Sequence, residues 1–406
     1  MYASPALRCF AGALLACAAA TIHAATTYVP ATDDAVVERL PASNAAQRER
    51  RLRSSDRPED LALALEAATG ALQRARRSGD PRDIGEAQAA LRPWWSLADP
   101  PPAVRFLRAS IQQNRHRFDE SIADLDALLR PAANVDANLR RQARLARATV
   151  HQVQGRLDPA RADCEALTTE ARTAGARGAA VAAPAALACV AELRSLQGDA
   201  QAAARTLTAL HAQRPNDPWL ALLRAELAQR QGQPREAARL LEPFTAAADA
   251  EVYIVAAHAD ALLESGQARA ALALIDAPRA GDRAAPLPAT LQLRRAIALA
   301  RIGQRHDADA EARTLRAALD SARARGDVPH LREEAWLALD VEGDATRAWQ
   351  LAQANWQTQR EPIDAVLLVR AAAAAQQPAQ ARDFTERRRA EGWHDVRLAQ
   401  ALENAR

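Results

Sequence analysis

Leu220-Ala-Leu-Leu-Arg-Ala-Glu-Leu-Ala-Gln-Arg-Gln-Gly-Gln-Pro-Arg-Glu-Ala-Ala-Arg-Leu-Leu-Glu-Pro-Phe244 is the stretch whose reading decides the fold. Its first half is rich in strong helix formers and sets Leu220, Leu223 and Leu227 on one face. Gly232 ends that helix, because glycine takes the left-handed conformation of a helix C-terminus without a Cβ clash. Pro234 then suits the first turn of a second helix, where its missing N–H has no intrahelical partner anyway. That second helix turns Ala237, Leu240 and Leu241 inward. Alanines at 225 and 237 let the two antiparallel helices approach closely. Neither helix buries its apolar face alone, so such hairpins must stack.

Working outward, the pattern repeats. Gly198, Gly232 and Gly266 are spaced by 34 residues, with Ala203, Ala237 and Ala271 five residues after and Ala191, Ala225 and Ala259 seven before. A fixed period of this length marks a helix–turn–helix repeat. Ala225, Gly232 and Ala237, and again Ala259, Gly266 and Ala271, resemble the small and turn positions of the tetratricopeptide repeat. Leu241 and Ile275 resemble its large apolar position late in the second helix. The early tryptophan of that family is absent in register, and Arg224, His258 and Arg295 stand where it has leucine. The resemblance implies an all-α, right-handed superhelical solenoid of about nine antiparallel helix hairpins, with a concave groove lined by first helices.

The same punctuation runs along residues 56–406. Turn positions fall near 79, 116, 155, 198, 232, 266, 303, 343 and 376, at gaps of 37, 39, 43, 34, 34, 37, 40 and 33. The first pair is expected at Leu61–Arg77 and Ile84–Trp95, before the break at Asp99-Pro-Pro-Pro. Longer gaps imply extended helices or loops at Thr168–Ala183 and Arg313–Asp327. Asp158-Pro159 and Asp344 read as helix starts, and Asp395–Asn404 as a capping helix. Each hairpin meets only its neighbours, so one continuous solenoid is expected rather than two globular domains.

Residues 1–24 read as a secretory signal peptide, with Arg8, a short apolar run and a small-residue exit at Ala24 or Ala25. The run is too short to span a bilayer, which takes about 20 residues. An alternative takes Leu14-Leu-Ala-Cys17 as a lipoprotein box. Residues 25–55 form a lead-in of different texture, ending in the basic run Arg48–Arg53. The mature chain is therefore expected in the periplasm or secreted, or anchored through Cys17, with no membrane-spanning segment.

Apolar residues make up 49% and aromatics only 4%, a composition that favours long helices over sheets. All 53 basic residues are arginine, and a formal charge of +3 over 406 residues gives no reason to invoke nucleic acid. No His-Glu-x-x-His, zinc-spaced Cys/His set, phosphate loop or Gly-x-Ser-x-Gly occurs, so no cofactor, metal or catalytic residue is assigned. Leu263-Glu-Ser-Gly266 resembles the catalytic Glu-Ser of lytic transglycosylases, but their downstream Gly-Leu-Met-Gln is missing. Glu264 is expected to be a solvated carboxylate at a repeat turn, and His258 a packed histidine.

The leading functional reading is a non-enzymatic scaffold that holds a peptide or protein partner of the cell envelope. Trp219, Tyr253 and His330 are expected near the starts of first helices at the groove edge, where aromatic anchors are favoured. Arg230 and Arg301, with Arg224 and Arg294, could hold acidic segments, the alternative being solvated or locally paired arginines. The family's Lys-and-Asn carboxylate clamp has no lysine here to build it. Alternatives are an accessory subunit or enzyme acting on peptidoglycan or glycan, which would need paired carboxylates in a deep pocket, or a structural spacer. Finally, removal of the leader leaves Cys164 and Cys189 as an even pair in an oxidising compartment. They fall on consecutive helices that pack together, so a disulfide is expected, with two buried thiols as the alternative.

Overall fold

In the computed structural model, the described residues are 60–173, 176–247, 249–278, 287–324 and 330–403. The leader, the lead-in and Cys17 lie outside them. Among these residues nine helical hairpins follow one another: α1 (Leu61–Ser78) with α2 (Pro81–Ala90), α3 (Pro102–Asn114) with α4 (Phe118–Leu129), and α5 (Ala137–Val153) with α6 (Leu157–Thr173). Then come α7 (Ala176–Leu196) with α8 (Ala200–Gln213), α9 (Pro218–Arg230) with α10 (Pro234–Leu241), and α11 (Val252–Glu264) with α12 (Ala268–Asp276). The last three are α13 (Ala289–Arg301) with α14 (Arg305–Ala324), α15 (Leu331–Leu337) with α16 (Ala345–Trp356), and α17 (Pro362–Ala374) with α18 (Pro378–Ala390). A single helix, α19 (Val396–Glu403), closes the stack.

Every expected turn is found. Gly79, Gly155, Gly198, Gly232, Gly266, Gly303 and Gly343 have positive φ, and so do His116 (55°) and Gln376 (58°). The same backbone bond recurs: Gln233 N–H donates to the Ala228 carbonyl at 2.9 Å, Gln267 to Leu262 at 2.8 Å and Gln304 to Leu299 at 3.0 Å. Such bonds satisfy carbonyls that the helix end would otherwise orphan. The repeat alanines are where helices press closest, since Ala225, Ala237, Ala259 and Ala271 are all fully buried. Aspartates cap helix starts, Asp60 accepting from Leu63 N–H, Asp136 from Asn138 and Leu139, and Asp344 from Arg347.

Two departures from expectation have local causes. The run Ile84–Trp95 is split at Leu91, and Pro93 opens a separate short turn at Arg92–Trp95. The extra residues near 168–183 are shared between a longer α6 and a 21-residue α7, which carries Pro184 inside it.

First helices pack side by side with the first helices of adjacent hairpins, whereas second helices stay apart from one another. First helices therefore form the inner layer of the superhelix and second helices the outer. Six hairpins complete one superhelical turn, and the next turn closes against it. Arg360 N–H donates to the Val153 carbonyl at 2.7 Å, joining the end of α5 to the start of α17. His116, after α3, meets His330 before α15 edge-on, with ring centroids 5.4 Å apart. Gly79 lies against Val252 and Pro288, Gly198 against His394, and Gly232 against Val396. The C-terminal ends of one turn's inner helices thus abut the N-terminal ends of the next turn's, a head-to-tail order that aligns their dipoles. The turn glycines at 266, 303 and 343 face open space.

Candidate functional site

The inner wall carries a charged ladder on the repeat period. Glu192 on α7, Glu226 on α9, Asp260 on α11 and Arg294 on α13 are each 34 residues apart. At one end the ladder is neutral: Arg294 donates to both oxygens of Asp260, at 2.9 and 2.7 Å, and lies 5.1 Å over the Trp336 ring. At the other end it is not. Glu192 takes a hydrogen bond from Gln152 at 2.9 Å once that amide is turned to face it. Arg230, 6% exposed, donates to Ser195 Oγ at 2.5 Å and not to a carboxylate. Burial, then the charge of Glu226, pushes the Glu192 carboxyl up to about 8. Burial also raises Glu226, to about 7, with Arg230 opposing and Glu361 adding to the rise.

Opposite this end stands a compensated hub. Arg332 on α15 donates to Asp364 at 2.6 and 2.7 Å and to Glu361, and Asn355 adds a bond to Asp364 at 2.7 Å. Asp364 also accepts from the Glu361 N–H at 2.9 Å, so one carboxylate caps α17 and holds a cation. Arg397 on α19 binds Asp395 at 2.6 Å and reaches back to Glu264 at 3.2 Å.

Tyr253 ties these parts together. It is 57% exposed, yet charges on other helices bear on its hydroxyl: Glu226 foremost, then Glu361, Arg332 and Arg294. The hydroxyl is held well above the usual phenol range by Glu226 and then by burial. An exposed side chain on an inner-layer helix faces the channel that is the concave interior of the superhelix.

Among residues expected at the groove, Tyr253 faces the channel and Arg230 lies in its wall. Trp219 is half-buried and packs on the core of α7, α8 and α9. Arg301 donates to the Leu263 carbonyl at 2.6 Å and so ties α13 to α11. His330 sits at the contact between turns, before α15. Arg294 is buried and paired, and Arg224 is half-exposed on α9. Glu264 is no solvated carboxylate: Gln229 donates to it at 3.0 Å, Arg397 reaches it, and burial raises it. His258 is packed as expected, with Nδ1 at 2.8 Å from Thr245 Oγ1. Cys164 and Cys189 are joined across α6 and α7, with Cα atoms 5.6 Å apart. Glu192 escaped the sequence reading, which took Glu226 only as a local partner for the groove arginines, although both fall on the repeat period.

Hairpins on a 34-residue period, alanine contacts within each pair, and inner first helices are now all in place. The chain has the tetratricopeptide-repeat fold. No family model matches this repeat chain, and no curated protein does. Solved structures similar to it include a tetratricopeptide repeat protein from Parabacteroides merdae, at 16% identity over 57% of this chain and 83% of that one, TM-score 0.40. The Cut9–Hcn1 hetero-tetramer of the APC/C matches at 12% identity over 89% and 86%, TM-score 0.33. The tetratricopeptide-repeat domain of P58(IPK) matches at 16% over 83% and 97%, TM-score 0.22. Among the described residues no helix is long and apolar enough to cross a membrane.

Proposed function

We propose that this chain is a non-enzymatic scaffold of the cell envelope whose inner channel receives a peptide segment of a partner protein. The supporting observation is Tyr253, an exposed aromatic on the concave wall that is not used for packing. Tyrosine offers a large contact face at low entropic cost, which suits it to anchoring a partner. The Cys164–Cys189 link supports an exported chain in the periplasm or outside the cell, with Cys17 lipidation as the alternative, because such bonds persist in oxidising compartments. A photoreactive residue placed at Tyr253 in living cells tests the channel. Recurrent capture of one envelope protein there, and none from the outer-face Arg239, is expected. Capture from position 239 alone would move the site to the convex face.

A second reading has its own observation. Glu192 and Glu226 are neighbouring acids with raised proton affinity, the property a general acid needs for glycan cleavage. Release of soluble fragments from peptidoglycan sacculi, abolished by Glu226→Gln, would support it over the scaffold.

A further inference from the structure

The channel wall is short of positive charge at one place. Glu226 precedes Arg230 by four residues on α9, the order in which a helical ion pair forms most readily. The pair is not made. Arg230 turns to Ser195 on α7 instead, 6% exposed, and its buried Nε–H has no acceptor among the described residues. Among those residues no cation lies within ion-pair reach of Glu192 or Glu226 either. Elsewhere on the same wall arginine meets acid: Arg294 with Asp260, Arg332 with Asp364, Arg397 with Asp395, Arg370 with Asp340. Two carboxylates without a direct ion-pair partner and a buried donor without an acceptor are costly to keep in a folded chain. Clusters left uncompensated in this way are a mark of functional sites.

We propose that Glu192 and Glu226 form a subsite for a cationic side chain, an ammonium or guanidinium group, carried by the segment that occupies the channel. The inference rests on the channel reading above and names the chemistry of its occupant. Tyr253, whose hydroxyl feels the charge of Glu226, supplies an aromatic face on the same wall, and a cation over such a ring gains further attraction. Paired with the incoming cation, both carboxylates ionise, so binding releases protons near neutral pH and tightens as pH rises.

Calorimetry on the purified chain tests this with two probes, acetyl-Ala-Ala-Lys-Ala-Ala-amide and the same peptide with norleucine in place of lysine. At pH 8.5 the lysine peptide is expected to bind at least tenfold more tightly, with the advantage shrinking at pH 6. The preference should vanish in the Glu192→Gln/Glu226→Gln double variant, whose fold is checked by circular dichroism; if it unfolds, Glu226→Gln alone decides. Equal affinities for both peptides, or a lysine preference that survives the substitutions, overturn the subsite. Equal affinities that are lost in Tyr253→Ala would leave the channel reading standing without it. No binding of either peptide would overturn both.

Discussion

Glu192 and Glu226 set a pH dependence whose sign follows from their surroundings. Both bind protons more tightly folded than unfolded, because burial disfavours their charge, with Glu226 adding to the rise of Glu192 and Glu361 to that of Glu226. At these two groups the folded chain therefore holds more protons than the unfolded chain between the ordinary carboxylate range and about pH 8. Their contribution to stability is full below that window and is lost as pH rises through it. His116, His151, His211 and His258, whose protonation burial disfavours, act with the opposite sign, so the test is a difference: Glu192→Gln/Glu226→Gln should raise the melting temperature more at pH 8 than at pH 5. Asp364 matters through its ion pair, since it is 2% exposed and compensates Arg332. Asp364→Ala would leave the buried Arg332 guanidinium with Glu361 alone and uncap α17, at a cost of about 3 kcal/mol by chemical denaturation.

At the scale of a helix pair, the alanines carry the packing. Ala225 and Ala259 have no exposed surface, so Ala225→Leu or Ala259→Leu should cost about 1–3 kcal/mol through overpacking. Unchanged melting for both would mean that these helices can separate freely. The link between α6 and α7 closes a 25-residue separation, and the chain-entropy argument gives it roughly 3–4 kcal/mol. Thiol titration of the unfolded, unreduced protein should find neither Cys164 nor Cys189 free, and reductant should lower the melting temperature. Elements of this kind were legible in the sequence because they obey local rules. Even His116 and Gln376 were placed at turns without glycine, since spacing alone demanded a break there. Ion-pair choice was not legible. Arg294 stands at the repeat position of Glu226 and finds Asp260 on the preceding inner helix, whereas Arg230, four positions later in its own repeat, finds only Ser195. Trp219 likewise reads as a groove aromatic until its packing against α8 is seen.

At the scale of the whole molecule, the contact between superhelical turns could not be read from the chain. It joins residues six hairpins apart, such as Val153 with Arg360, and depends on small rotations summed over every repeat between them. Glycine substitution separates the two kinds of turn. Gly303→Ala should cost about 1–2 kcal/mol, the penalty of a left-handed alanine in open space. Gly155→Ala should cost more, because its Cβ would stand 2.9 Å from Cβ of Arg360 and force the turns apart. Equal costs would show that the turns do not press together. The wider consequence is mechanical. An open helical-repeat coil stretches like a soft spring, each joint yielding a little to a small load. A coil whose successive windings are buttressed end to end resists extension until its buttresses part, then lengthens abruptly. Pulled at its termini, this protein should therefore show a threshold force before any gain in length, and below that threshold its bore keeps a fixed gauge.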